Sequence, residues 1–149
     1  LSVPKTCYLY RFKDSAASFS NGTNTRFTPS NICDYFLLDD VSKTLYLLEL
    51  KSTKQSSLSL NNIRTTQIKE LTKASQHNLI AGFIVNFREK ENFTAFIRIQ
   101  DFNRMTDELQ KKSFNIQNMV DYGGIEIQSE IKKTRFRYDI ENFIKDTHL

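Results

Sequence analysis

Two carboxylates and one lysine interrupt segments that are otherwise strongly apolar. Asp34 lies in the segment CDYFLL, and Glu49 follows TLYLL, with Lys51 two residues further on. The spacing between Asp34 and Glu49 leaves room for a hairpin that brings the two carboxylates side by side. Residues two apart on a strand point to the same face. We therefore expect Glu49 and Lys51 on one face and the Leu50 side chain on the other.

This set of residues suits metal-assisted hydrolysis of a phosphodiester bond. Two carboxylates and the backbone carbonyl of Leu50 form an all-oxygen site, which Mg²⁺ prefers, with Mn²⁺ as the alternative ion. A lysine on the same face can hold or polarise an attacking water, and such chemistry needs no histidine. The alternative is an ordinary solvated Glu–Lys pair. Charge within apolar strands is costly unless it is paired or binds a metal, which favours the site.

The composition excludes several other functions. The chain has 149 residues, 39% of them hydrophobic and 12% aromatic, which is typical of one globular domain. Its four glycines form no nucleotide-binding loop, and its two histidines leave little for histidine catalysis. A serine hydrolase is disfavoured because G-x-S-x-G is absent. The two cysteines, without a secretory signal, predict reduced thiols and a cytoplasmic protein.

The segments around these residues predict a mixed α/β domain, with a central sheet of about five strands flanked by helices. The strands are expected at 6–13, 33–38, 44–50, 81–88 and 93–100. Helical spacing predicts a helix from residue 62 to about residue 76, with Asn61 or Asn62 as its N-cap. Shorter helices are expected at 104–112 and 138–145. The polar segment 15–30 is predicted to form a long loop or projection.

The order of these motifs resembles a known nuclease superfamily. Asp34, then Glu49-x-Lys51, then a helix bearing Gln67, is similar to the PD-(D/E)-x-K pattern. The run CDYFLL…TLYLLELKS…TTQIKEL…AGFIVNF more specifically resembles the RecU-type Holliday-junction resolvases. The resemblance covers about residues 6–102 and implies a restriction-endonuclease-like fold. It also implies a Mg²⁺-dependent endonuclease that acts on four-way DNA junctions as a homodimer.

Carried over by position, the resemblance implies that Asp34 and Glu49 are metal ligands and that Lys51 is the catalytic lysine. Gln67 would face the site, although an ordinary polar helix position is an equal alternative. Cys33 stands where the superfamily pattern has proline. Family members also have an N-terminal helix whose Glu joins the metal site, and the present sequence begins near the end of that helix. The resemblance thus implies a single nuclease domain, 1–149, without this helix.

A nuclease must also hold phosphates, so basic residues near the site are candidate DNA contacts. If the segment KKTRFRY is extended, Lys133, Arg135 and Arg137 project from one face and an aromatic anchor lies on the other. The alternative is a charged edge strand that prevents aggregation. Lys54 and Arg64 flank the motif, and Arg26 is the one strong cation of the 15–30 loop. Two alternative functions stay open: a related nuclease that acts on another DNA substrate, and a catalytically inactive DNA-binding module.

Overall fold

A six-stranded mixed sheet forms the centre of the protein in a computed structural model that describes residues 2–13 and 31–149. Its strand order is β1-β2-β3-β5-β6-β8, and only the β3–β5 pair is parallel. Two further two-stranded sheets pair β4 with β7 and β9 with β10. The strands are β1 (Cys7–Arg11), β2 (Tyr35–Asp39), β3 (Thr44–Thr53), β4 (Ser57–Ser59), β5 (Ile80–Phe87), β6 (Phe93–Arg98), β7 (Ser113–Asn115), β8 (Ile125–Glu126), β9 (Ser129–Lys132) and β10 (Arg135–Tyr138).

Four α-helices accompany these sheets in the described part of the chain. They are α1 (Thr65–Ser75), α2 (Ile99–Leu109), α3 (Ile116–Asp121) and α4 (Ile140–Thr147). The mixed α/β class is confirmed, and all five expected strands are present. The sixth strand, β8, has only two residues and follows Gly123-Gly124, in a segment that was expected to be irregular.

The start of α1 differs from the sequence expectation. Asn61 and Asn62 belong to a 3-10 turn, Leu60–Asn62, and the N-cap of α1 is Arg64. The backbone N–H of Asn61 is bonded to the hydroxyl of Ser59, which commits this segment to the tighter turn. The two shorter helices that the sequence predicts correspond to α2 and α4. They begin at Ile99 and Ile140, whereas starts at residues 104 and 138 are predicted.

The long strand β3 separates the two apolar cores of the protein. Leu45 and Leu47 pack into one core with α1 and α2, whereas Tyr46 and Leu48 pack into the other with α4. The alternation continues past Leu48, so that the next side chain on the α1 face is Glu49. The fold thus sets a charged residue at the end of a row of buried leucines.

The close approach of β5 and β6 depends on glycine at position 82. A Cβ atom there would lie 2.8 Å from the buried ring of Phe96 and would overlap the Ile97 carbonyl oxygen. Because that oxygen belongs to the backbone of the neighbouring strand, it cannot move aside cheaply.

We expect Gly82→Ala to lower the free energy of unfolding by about 2–3 kcal/mol. Urea denaturation measures this change, and Ser56→Ala, at an exposed turn position, serves as the control with a change within about 0.5 kcal/mol. Equal stability of the two variants would mean that β5 and β6 can move apart at Gly82 without a cost in free energy.

Both cysteines, Cys7 and Cys33, are free thiols in the structure. Among the helices of the described residues, none has the length and apolar character needed to cross a membrane. The predicted loop 15–30, together with Arg26, lies outside the described residues.

Candidate active site

Glu49 is the most deeply buried charged side chain of the site, with 3% of its surface exposed. Its Oε1 lies 3.2 Å from Nζ of Lys51, so the two residues share one face of β3 as expected. The same oxygen accepts a hydrogen bond of 2.7 Å from Nε2 of Gln67 on α1. Two donors therefore hold one carboxylate oxygen in a fixed position.

Asp34 lies beside Glu49 because it directly precedes β2, which begins at Tyr35. The register of β2 and β3 pairs Tyr35 with Leu48, and the next step places Asp34 opposite Glu49. The Asp34 backbone N–H donates to the Leu48 carbonyl at 3.1 Å, and its Oδ2 accepts from the Leu50 N–H at 2.8 Å. The Asp34 carboxylate thus accepts the hydrogen bond from Leu50 that a backbone carbonyl of β2 would otherwise accept.

The two carboxylates interact electrostatically. Burial raises the pKa of Glu49, and the negative charge of Asp34 raises it further, while Lys51 and Gln67 act in the opposite direction. Burial also raises the pKa of the Cys33 thiol to about 12, with the charges of Glu49 and Asp34 contributing. Cys33 is therefore a neutral thiol that donates to the Tyr35 carbonyl at 3.2 Å. A site of like charges in a low dielectric is suited to a cation.

Gln67 links this site to the start of α1. Its Oε1 accepts a hydrogen bond of 3.2 Å from the backbone N–H of Arg64, which caps the helix. The amide is oriented by this bond, because the oxygen faces Arg64 and the nitrogen must then face Glu49. The positive end of the helix dipole lies toward the carboxylate and favours its charged form.

The donor set fits a hard divalent cation. No hydrogen bond or ion pair among the described residues involves Oδ1 of Asp34 or Oε2 of Glu49. A strand residue directs its N–H and C=O to the same neighbour. The Leu50 carbonyl therefore points to the β2 side of β3, beyond the last residue of β3 that pairs with β2. Mg²⁺ commonly takes one or two carboxylates and completes its shell with waters and substrate phosphates.

A larger cluster of protein ligands is absent from this part of the chain. No group of three or more His, Cys, Asp or Glu residues able to hold a metal occurs within 2–13 and 31–149. The expectation of a nuclease domain without the N-terminal helix and its Glu stays a prediction. The residues that the structure brings together are the four named from the motif, Asp34, Glu49, Lys51 and Gln67.

Two of the candidate phosphate contacts flank this cluster. Lys54 is exposed in the turn after β3, three residues beyond Lys51. Arg64 is exposed at the N-cap of α1, three residues before Gln67. Both side chains extend into solvent from the elements that carry the motif, as a phosphate contact would require.

The basic segment near the C-terminus is a hairpin, not a single extended strand. Arg135 and Arg137 share one face of β10, with Phe136 on the other, as expected. The expectation for Lys133 was wrong, because this residue lies in the turn between β9 and β10, with φ of 57°. A non-glycine residue rarely adopts this conformation. The sequence Lys133-Thr134 carries no Gly or Asn that would have indicated a turn.

The hairpin also reveals one residue that the sequence interpretation missed. Ile131 lies directly opposite Phe136, and 68% of its surface is exposed. The alternation in SEIK on one side of Lys133-Thr134 and in RFRY on the other could have indicated two short strands.

Comparisons with known proteins identify one family, by a family model, and one fold, by a solved structure. A family model described as RecU, Recombination protein U, matches residues 8–139. The chain is 32% identical over 145 residues to the SPbeta prophage-derived uncharacterized protein YotM of Bacillus subtilis (strain 168), covering 88% of this chain and 72% of that protein. It is also similar in structure to Archaeoglobus fulgidus Hjc, a Holliday junction resolvase from an archaeal hyperthermophile, with a TM-score of 0.51 and 15% identity. That match covers 81% of this chain and 83% of Hjc, and at this identity it shows the fold.

Proposed function

Because the chain belongs to the Recombination protein U family, we propose that it is a metal-dependent endonuclease that resolves four-way DNA junctions by hydrolysing phosphodiester bonds. The observation that carries the proposal is the buried carboxylate of Glu49. It is held by Lys51 and Gln67 and lies next to Asp34, where β2 begins. Such a charged cluster contributes little to folding, since burying it is costly.

The side chains of Asp34 and Glu49, with the Leu50 carbonyl, would hold the cation, which we propose to be Mg²⁺. When bound there, Mg²⁺ lowers the pKa of a water ligand and neutralises charge that develops on the phosphate. The partly exposed ammonium of Lys51 donates a hydrogen bond to the attacking water or to a phosphate oxygen. Gln67 is a positioning residue, because it acts through the Glu49 carboxylate.

The basic residues around the site and on the hairpin are proposed to bind DNA. Lys54 and Arg64 beside the site, and Arg135 and Arg137 on the hairpin, would neutralise phosphates of the DNA arms. A junction has two strands to cut, so we propose that two copies assemble with two-fold symmetry. We place the enzyme in the cytoplasm, the compartment in which we expect its DNA substrate.

The decisive test compares a labelled four-way junction with a linear duplex built from the same arm sequences, in Mg²⁺ and in EDTA. We expect paired nicks in the junction with Mg²⁺ and no cleavage with EDTA. Preferential cleavage of linear or flap DNA would instead identify a related nuclease with another substrate. Binding without cleavage in either Mg²⁺ or Mn²⁺ would contradict the enzymatic proposal and favour a DNA-binding module.

A further inference from the structure

The β9–β10 hairpin has two faces of different chemistry. Within the described residues its two strands pair only with each other, and the ladder runs from Arg135↔Lys132 to Tyr138↔Ser129. Side chains directly opposite each other in such a ladder lie on the same face. Phe136 and Ile131 therefore lie side by side on one face, while the neighbouring pairs project from the other.

The apolar face is exposed to solvent where the hairpin extends from the body. Ile131 is 68% exposed and Phe136 is 43% exposed, although they form a cross-strand pair. Tyr138, two residues further along this face, is half-buried and packs against the core that contains α4. The hairpin is thus anchored at its base, and an apolar surface is left uncovered toward its tip.

The charges around this surface are strongly unbalanced. Residues 129–138 contain four cations, Lys132, Lys133, Arg135 and Arg137, and a single acid, Glu130. Glu130 forms an exposed ion pair of 3.5 Å with Lys132, which leaves Lys133 and the two arginines to interact with a partner. An exposed apolar pair on one face, with an excess of positive charge at the neighbouring positions of the same hairpin, fits a partner that is both aromatic and anionic.

We propose that Phe136 and Ile131 pack against base faces that are exposed at the branch point of the DNA junction, while Arg135 and Arg137, on the opposite face of the hairpin, contact phosphates of a neighbouring arm. The inference rests on the proposed function and adds the basis of its structural selectivity. In a continuous duplex, neighbouring bases cover one another's faces, so that an apolar pair finds nothing to stack on. Where arms meet, base faces become accessible, and apolar side chains can pack on them.

A second copy of the chain is the alternative occupant of this surface. Packing two such hairpins against each other would bring together two segments that each carry a net positive charge. That repulsion disfavours self-association through this face and favours nucleic acid.

The test measures affinity for a four-way junction and for a linear duplex of the same arm sequences by fluorescence anisotropy, in EDTA to prevent cleavage. We expect Phe136→Ala to weaken junction binding by about 5- to 100-fold, the range found for stacking of one base on an aromatic ring. Duplex binding should change less than twofold, because the arginines are retained. Phe136→Trp should keep the wild-type preference for the junction.

The matched control is Val41→Ala, which removes an exposed apolar side chain, 77% exposed, from the β2–β3 turn. It should leave both affinities unchanged. Equal losses for junction and duplex in Phe136→Ala, or no loss, would overturn the inference. A change in sedimentation from dimer to monomer would also overturn it, since the face would then belong to a second copy. Cleavage of the junction by the wild type tests the proposed function separately.

Discussion

Glu49→Gln is expected to slow junction cleavage by about 10³-fold or more, equivalent to about 4 kcal/mol of transition-state stabilisation. The substitution keeps the size of the side chain and its hydrogen bond with Gln67 but removes the charge that a divalent cation requires. Initial rates under saturating DNA and Mg²⁺ measure the effect. Glu141→Gln, which neutralises an exposed carboxylate on α4, is the control and should cleave at the wild-type rate.

The same substitution should not destabilise the fold at neutral pH. Burial and Asp34 raise the pKa of Glu49 above its ordinary value of 4.5. The unfolded chain therefore releases this proton first, and ionising Glu49 costs folding free energy as the pH rises through the raised pKa. Glutamine has no such cost, so that Glu49→Gln should gain stability relative to wild type as the pH rises above the ordinary pKa of Glu. Denaturation below that pH and at neutral pH measures the difference.

Asp34→Asn provides an independent check of the shared metal. Asparagine can still accept the Leu50 N–H bond, so the ladder is preserved while the charge is lost. If both carboxylates hold one cation, the double variant Asp34→Asn, Glu49→Gln should cleave no more slowly than the slower single variant. Losses that multiply would mean that the two carboxylates act in separate steps.

The sequence was informative about the site because the motif is local to two paired strands. Alternation along β3 determines that Glu49 and Lys51 share a face, and the hairpin register follows from apolar residues on both strands. The contact between Gln67 and Glu49 could not be worked out in this way. It depends on where α1 begins and how the helix lies across the sheet, and these are tertiary properties; Gln67 was suggested by the family resemblance.

The elements that the sequence predicted poorly lack a strong local signal. β8 pairs through only two residues, and the β9–β10 turn contains a lysine in the left-handed region where glycine or asparagine is usual. Arg64 is an unusual N-cap residue, and the helix is capped from within by Gln67. In the last two cases the residue type that usually marks a turn or a helix N-cap is absent from the sequence.

Lys51→Ala is expected to slow cleavage by about 10²- to 10³-fold, the loss typical of removing one donor from a preorganised site. The substitution also raises the pKa of Glu49 further, because the charge of Lys51 lowers that pKa. Metal affinity should therefore fall at a given pH and recover partly as the pH rises, whereas the cleavage rate at saturating metal should not recover. Cleavage titrated with Mg²⁺ at several pH values separates these two effects.

Lys54→Ala is the matched control, since Lys54 is an exposed lysine in the turn that follows the same strand. It should keep the cleavage rate at saturating DNA and weaken binding by an amount that decreases with salt. Lys51→Arg distinguishes the two roles of the lysine, because arginine restores the charge next to Glu49 but presents it as a broad planar group. If Lys51→Arg cleaves as fast as wild type, Lys51 acts only through the ionisation of Glu49. If Lys51→Arg binds the metal normally but cleaves slowly, the ammonium of Lys51 contacts the reacting water or phosphate directly.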